Sequence, residues 1–394
     1  MTADILIVGG GIGGAVLAEL LGRGGKRAVV LEKSTERPAW TRPEILWPHT
    51  VQFLFTLLPR ETWEREAMLP VRGIEFFNGE RFVTGLTPET IAAAQVQPWS
   101  TDPNATRELL LALPSFELRR GVEVTEVLKD QGRVVGVRAR EIASREEFEV
   151  RAPWTVGDDG GNSAVRRACG IEMPLRLFPM EFFCFKFDWP AGFPHATLRV
   201  FPNARHARSG IFALGGAPIP KGKGAGMVVV HGRDFAANPA VSESWAAFRA
   251  THPVIGELVG SRKFPEDFAH VRRPCGHARR YGAPGALLMG DAAHSVSPAG
   301  GQGANMSIAD ARVLAELLLN NSPQVLEEYE RRRRPANERS MRPTLGAAAI
   351  LGLPSWCRPM WLLSTLGGVA RKHPSLARRA LRFMSTAFME DGRA

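Results

Sequence analysis

Residues 290–306, GDAAHSVSPAGGQGANM, set one aspartate, one histidine and one proline among ten glycine, alanine and serine residues. So many small side chains clear space for a ligand against bare backbone. A second glycine-rich stretch opens the chain. Gly9, Gly11 and Gly14 form GxGxxG directly after the apolar run DILIV. That spacing permits a tight turn, lets a pyrophosphate approach without Cβ clashes, and aims helix N-terminal N–H groups at its charge. Glu32 closes the next apolar run, RAVVL, where a carboxylate can accept both hydroxyls of an adenosine ribose. Together these residues predict a dinucleotide site.

The elements that must position them follow from periodicity. The runs at 4–8 and 27–31, with Ala- and Leu-rich sequence between them, predict a strand–helix–strand unit of a parallel sheet. NATRELLLALP (104–114) predicts a capped helix, and VEVTEV and RVVGVRAR, separated by Asp130, Gln131 and Gly132, predict an antiparallel hairpin. WTVGDDG (154–160) reads as a strand entering a turn. From Pro174 to about Gly276 the helical period vanishes in favour of Pro, Gly and β-formers, marking a sheet-rich second domain. ALLM (286–289) is again a buried strand and Ser307–Leu319 a helix, so the chain returns to the first domain.

Composition narrows the class. With 394 residues, 44% of them hydrophobic, the chain can bury a large core. The net charge of +10 is local: residues 331–394 hold thirteen Lys and Arg against three acids, so the body is neutral and no nucleic-acid partner is expected. Two apolar runs in that tail, Pro343–Cys357 and Pro359–Ala370, fall short of the roughly 20 residues that span a bilayer. With Trp356, Met360, Trp361, Leu362 and Leu363 between Arg331–Arg334 and the basic residues 371–382, they either cap the body as helices or touch a membrane surface peripherally. Cys169, Cys184, Cys275 and Cys357 lack metal or disulfide spacing. No metal is expected, and the absence of a leader pattern after Met1 suggests a cytoplasmic protein.

The stretch LLMGDAAHSVSPAGGQGANMSIADARVLAELL resembles the second FAD-binding motif of the flavoprotein aromatic hydroxylases. VGDDGGNSAVRRACGI (156–171) resembles the middle motif of that family, and NATRELLLAL places Arg107 at its flavin-contacting arginine. LEEYERRRRPANE (326–338) resembles the segment that follows the second motif. The resemblance spans residues 1 to about 340. It implies an α/β fold, a Rossmann-like FAD-binding domain with an intertwined β-sheet substrate domain and a C-terminal helical region. The expected FAD parts are 1–72, 101–173 and 277–340, the substrate parts 73–100 and 174–276, and the helical region 341–394.

The same resemblance implies a cofactor set. Gly9, Gly11, Ile12, Gly13 and Gly14 would hold the pyrophosphate and Glu32 the ribose, with Lys33 and Val127 nearby. Arg107, Gly290 and Asp291 would reach the pyrophosphate and ribityl chain, while Asp159 and Gly160 shape the channel. Pro298, Gly301, Gly303, Ala304 and Asn305 would open a helix whose positive end faces the flavin. Pro298 and Arg42 are expected at the reacting edge, and His49 is the histidine nominated for substrate contact or deprotonation. Trp47 is expected against substrate. In MEFFCFKFDW, Phe183, Phe185 and Phe187 share one strand face, which is either a substrate wall or core. The implied reaction consumes NADH or NADPH and O2 and hydroxylates a phenolic, quinone-like or heteroaromatic small molecule through a flavin C4a-hydroperoxide, in a monomer or homodimer. Two alternatives remain open: a membrane-associated hydroxylase or epoxidase of a lipid, and a reductase that uses no O2.

Overall fold

The computed structural model describes all residues except 79–80, 178–179, 195, 203–210, 232–240, 273, 299–300, 352–372 and 391–394. The strand Ile5–Val8 (β1) is buried at every position, as a strand covered on both faces must be. It leads through the helix Ile12–Arg23 (α1) into Ala28–Glu32 (β2), the expected βαβ unit. β1 runs parallel to β2, with Ile5 opposite Ala28, and on its other side to Trp154–Gly157 (β3), with Ile5 opposite Trp154. Six strands complete this sheet. α1 packs on the helix Gly303–Leu319, and a Cβ on Gly13 would lie 2.0 Å from Ser307 Oγ and 3.0 Å from the Ser307 carbonyl oxygen. Glycine there lets the two helices approach closely.

The helix carrying Arg107 covers Pro103–Leu111 (α2), and its cap is Asp102, two residues before the predicted span. Asp102 Oδ1 accepts from the N–H groups of Asn104 (3.0 Å) and Ala105 (3.3 Å), and Pro103 takes the first helical position, where no N–H is needed. The hairpin forms as expected, with Arg133 opposite Asp130 and a two-residue connection in which Gln131 (φ 47°) and Gly132 (φ 81°) both take positive φ. That is a type I′ turn, whose twist matches the strands it joins.

A second sheet of seven strands combines Gly73–Asn78 and Arg81–Leu86 with five strands between Met180 and Val271. Its strand Met180–Asp188 (β4) carries the aromatic alternation, and the structure corrects one reading of it. Phe183, Phe185 and Phe187 are 1%, 2% and 3% exposed and pack against Trp245, Phe248, Phe264 and Phe268. They are core and not a substrate wall. The larger apolar area goes to the sheet face that helices cover, and the period of two leaves Phe182 and Cys184 for the other face.

Gly303–Leu319 (α3) begins four residues ahead of the predicted start, so Gly303 and Ala304 form its first turn. Val325–Leu351 (α4) packs along it, and Pro374–Thr386 (α5) lies near the C-terminus. The arginine run expected on a solvated or membrane-facing surface is largely spoken for within the fold. Arg333 is fully buried, Arg332 pairs with Glu316 and Glu390, and Arg334 pairs with Glu330. Trp356 to Leu363 lie outside the described residues. Among the described residues, no helix is long and apolar enough to cross a membrane.

Because Phe185 fills the core behind the second sheet, Phe185→Ala is expected to cost about 3–5 kcal/mol in urea unfolding. Ligand affinity measured on the folded fraction should not change.

Candidate active site

A cleft of about 260 Å³ lies where the first sheet meets the second. Gly11 and Ile12 bring the start of α1 to it, Arg107 enters from α2, and Arg42 from the loop after β2. Gly160 and Asp291 line one side, and Pro298, Gly301, Gly303 and Ala304 bring the start of α3 to it. Phe182, Cys184 and Met227 come from the second sheet. Two helix N-termini therefore converge on one space, each favourable to negative charge.

Gly9 makes the turn at φ 99°, and a Cβ there would lie 2.3 Å from the Asp158 carbonyl oxygen, so only glycine fits. Glu32 sits beside this turn. Its Oε2 accepts from Gly10 N–H (2.7 Å), its Oε1 from Ser34 N–H (2.7 Å), and Arg107 Nη2 lies 3.1 Å away. Burial pushes the Glu32 carboxyl up, but the Ser34 bonds, the Arg107 charge and Gly10 outweigh it and hold the group below the usual carboxylate range. Arg107 Nε donates to the Gly10 carbonyl (2.6 Å), which fixes its guanidinium across the glycine turn.

These residues fit FAD. An ionised carboxylate for ribose hydroxyls, an arginine and an uncrowded helix start suit its adenosine and pyrophosphate. On the other side, Gln302 lines the cleft with a buried Oε1 that finds no donor among the described residues, while its Nε2 donates to the Met384 carbonyl (2.8 Å). An unsatisfied acceptor at the start of α3 suits the N–H of a flavin ring. Asp158 also lines the cleft, and its Oδ2 accepts from Gly14 N–H (2.8 Å). Loss of water, offset by the Gly14 bond but reinforced by Asp291, Asp159 and Asp310, pushes its pKa well above the ordinary value.

Behind the cleft, a buried polar network holds the 290–294 turn. Asp310 on α3 accepts from Gly290 N–H (3.2 Å), meets His294 Nε2 at 2.5 Å and pairs through Oδ1 with Arg333 Nε at 2.8 Å. Asn337 Nδ2 donates to Asp310 Oδ1 (3.0 Å) and to Tyr281 OH (3.1 Å), which also meets His277 Nε2 at 2.6 Å. Burial alone would raise the Asp310 carboxyl, but His294 and Arg333 reverse this and hold it well below its ordinary value of 3.8. Burial, with His294 and Arg334 adding to it, takes His277 down to about 3. His294 is thus tied into the scaffold, and its place is structural.

A second cavity of about 520 Å³ adjoins the cleft, and the two share Pro43, Met227, Pro298 and Gly301. Trp47 lines it. His49 stands on the short helix Pro48–Leu54 and lines neither space. Asp159 caps the helix Ala164–Ala168 through Oδ2, bonded to Ala164 N–H at 2.6 Å. Lys33 is exposed and paired with Glu123, and Val127 faces Val137 in the hairpin, outside the cleft-lining set. Asn305 stands just behind, receiving Trp47 N–H (2.9 Å) and donating to the carbonyls of Ile45 and Gly301.

Several lining groups escaped sequence reading: Asp158, Gln302, Ser307, Phe182, Cys184 and Met227. Asp158 had a signal in the doubled aspartate of GDDGG, and Phe182 and Cys184 in the alternation itself, on the face with fewer aromatics. Met227 comes from a strand paired across the sheet and carried no local signal.

A dinucleotide turn with a ribose carboxylate, a second helix start across the cleft and an adjoining cavity define a flavoprotein of the Rossmann-like class. A family described as FAD binding domain matches residues 2–344. The chain belongs to this family of FAD-dependent aromatic hydroxylases, and it is an FAD-dependent monooxygenase. It is 31% identical over 356 residues to 6-methylpretetramide 4-monooxygenase of Streptomyces rimosus, covering 86% of this chain and 82% of that protein. The fold is similar to that of p-nitrophenol 4-monooxygenase PnpA from Pseudomonas putida, with TM-score 0.73 and 22% identity over 96% of this chain and 97% of that one. It is also similar to an HpxO variant of Klebsiella pneumoniae complexed with FAD, with TM-score 0.78 and 18% identity over 98% and 99% of the two chains.

Asp310→Asn leaves the Arg333 guanidinium buried without its counter-charge and should cost about 3–5 kcal/mol at neutral pH in urea unfolding. A depressed carboxyl stabilises the fold above its unfolded pKa. The gap between variant and wild type should therefore narrow as pH falls below 3.8 toward the folded-state value.

Proposed function

We propose that the protein hydroxylates an aromatic small molecule, held in the 520 Å³ cavity, with NADH or NADPH as reductant and O2 as oxidant. The observation that carries this reading is the junction at Pro43, Met227, Pro298 and Gly301, the residues common to the polar cleft and the apolar cavity. A flavin bound in the cleft would supply the redox chemistry, taking electrons from the nicotinamide and activating oxygen.

The chain's own residues bind, orient and exclude water. Glu32 would receive the ribose hydroxyls, and Arg107 with the first turn of α1 would neutralise the pyrophosphate. The first turn of α3 would offer partial positive charge to the flavin's ring end, which suits an anionic ring. Arg42, paired with Glu44 at 3.0 Å, supplies a cation at the cleft wall. Pro298 has no N–H to donate, so its ring and carbonyl meet substrate where the two spaces join. The apolar walls keep bulk water from the reacting edge.

Turnover under isotopically labelled O2 should place one labelled oxygen atom in the product, with NAD(P)H oxidation stimulated by substrate. Product without label would replace the hydroxylase reading with a reductase. Arg107→Gln should weaken FAD retention tenfold or more, as roughly expected for losing a charged, partly buried contact. Equilibrium dialysis of the purified protein against FAD checks it.

A further inference from the structure

The wall shared by the cleft and the apolar cavity carries a readily oxidised atom. In the second sheet the strand Lys223–His231 lies between β4 and the strand Ile211–Ile219. Its register sets Met227 opposite Cys184 on one side and opposite Gly215 on the other. Cys184 lines the cleft, Gly215 lines the cavity, and Met227 lines both. Directly paired residues in a sheet share a face, so this row crosses from the charged space to the apolar one. Gly215 has no side chain with which to cover the thioether.

Exposure separates Met227 from the other sulfur groups. Met68, Met180, Met289, Met306 and Met341 are buried. Met1 is exposed and Met173, Met384 and Met389 are half-buried, as Met227 is, but among the described residues only Met227 is a methionine of the cleft lining. Cys184 is 1% exposed. A thiol must also ionise before it reacts, whereas a thioether is oxidised as it stands.

The chemistry of the cleft supplies an oxidant. Oxygen that takes two electrons and two protons from a reduced flavin, with no substrate to receive an oxygen atom, leaves as hydrogen peroxide. At a thioether the peroxide O–O bond breaks, one oxygen forms the S–O bond, and the other departs as water with both protons. Sulfur loses two electrons and peroxide gains two, giving methionine sulfoxide. An apolar, polarizable side chain thereby becomes a polar one. Pro43, Pro298 and Gly301, the other residues common to both spaces, have no side-chain donor to satisfy the new oxygen.

We propose that Met227 is a self-oxidation site, at which hydrogen peroxide released in the cleft without substrate converts the thioether to the sulfoxide, and that the polar oxygen then disfavours apolar ligands at the junction of the two spaces. The proposal rests on the reading that places the flavin in the cleft, and not on hydroxylation.

The test uses the FAD-loaded protein, reduced anaerobically with dithionite, freed of reductant and exposed to isotopically labelled O2. Catalase is present to remove peroxide that reaches solution, and peptide mass spectrometry reads each methionine. Over repeated cycles Met227 should gain labelled oxygen about tenfold faster than Met173 or Met389, a modest proximity effect. Peroxide added to the unreduced protein should instead oxidise Met1 and Met173 at least as fast as Met227. Toluene affinity, read from perturbation of the flavin absorbance, should fall about tenfold once Met227 is oxidised and should survive the same cycles in Met227→Leu. Label acquired by Met227 no faster than by Met173, or toluene affinity unchanged by its oxidation, overturns the proposal. Full retention of FAD by Arg107→Gln would count against the cofactor placement, and unlabelled product in turnover against the hydroxylase reading, and neither is read from the methionine labels.

Discussion

Asp310 is the group on which the site geometry depends. From α3, its two oxygens meet partners in two other parts of the chain: Gly290 and His294 in the turn, and Arg333 and Asn337 on α4. Asp310 and Arg333 are both fully buried, so the pair gains little over a hydrophobic substitute in stability. What it supplies is register. The body of α3 is locked to α4 and to the turn before it, and its first residues must then end at the cleft. Without that lock the N–H groups of Gly303 and Ala304 would have no fixed aim, and a helix dipole acts only within its terminal turn.

A second carboxylate does the same for the opposite wall. Asp102 caps α2, accepts from Thr41 Oγ1 at 2.8 Å, and pairs with Arg37 at 2.5 Å and Lys186 at 3.3 Å. Burial works against its charge, but Thr41, Arg37 and Lys186 hold it below the ordinary carboxylate range. Through this one side chain, the loop bearing Arg42, the helix bearing Arg107 and the strand β4 of the second sheet share a reference point. The two walls of the cleft are thus each positioned by a buried acid that does not line it.

Much of this was legible in sequence where chemistry and backbone geometry coincide locally. Gly9 to Gly14 and Glu32 declared themselves because a close turn and a ribose carboxylate lie within one βαβ unit. Arg107 was legible through its helix, although the true cap, Asp102, stood two residues outside the pattern. The 290–306 stretch was legible as bare backbone. Phe183, Phe185 and Phe187 were legible as one face but not as which face, because period two does not say on which side helices will pack. Arg333 read as surface charge, since nothing local reveals that α3 brings Asp310 to it. The apolar cavity was the least legible part. Its walls come from segments as distant as Pro43 and Met384, and each contributes a residue that reads as ordinary core.

The division between the two spaces follows from these constraints. Ionisable groups and helix ends gather around the cleft, lined by Arg42, Glu44, Arg107, Asp158 and Asp291, while the described lining of the adjoining cavity carries none. In the proposed reading, a charged cofactor and an apolar ligand would be sorted to opposite sides of Pro298 and Gly301 by solvation, before any specific contact is made. Electrostatic interactions strengthen as water is removed, so the apolar walls would also strengthen the pull of the α3 terminus on negative charge in the cleft. Under the proposed function, substrate binding and stabilisation of the reduced cofactor would be two consequences of one arrangement, in which a helix start held by buried Asp310 opens between a polar cleft and an apolar cavity.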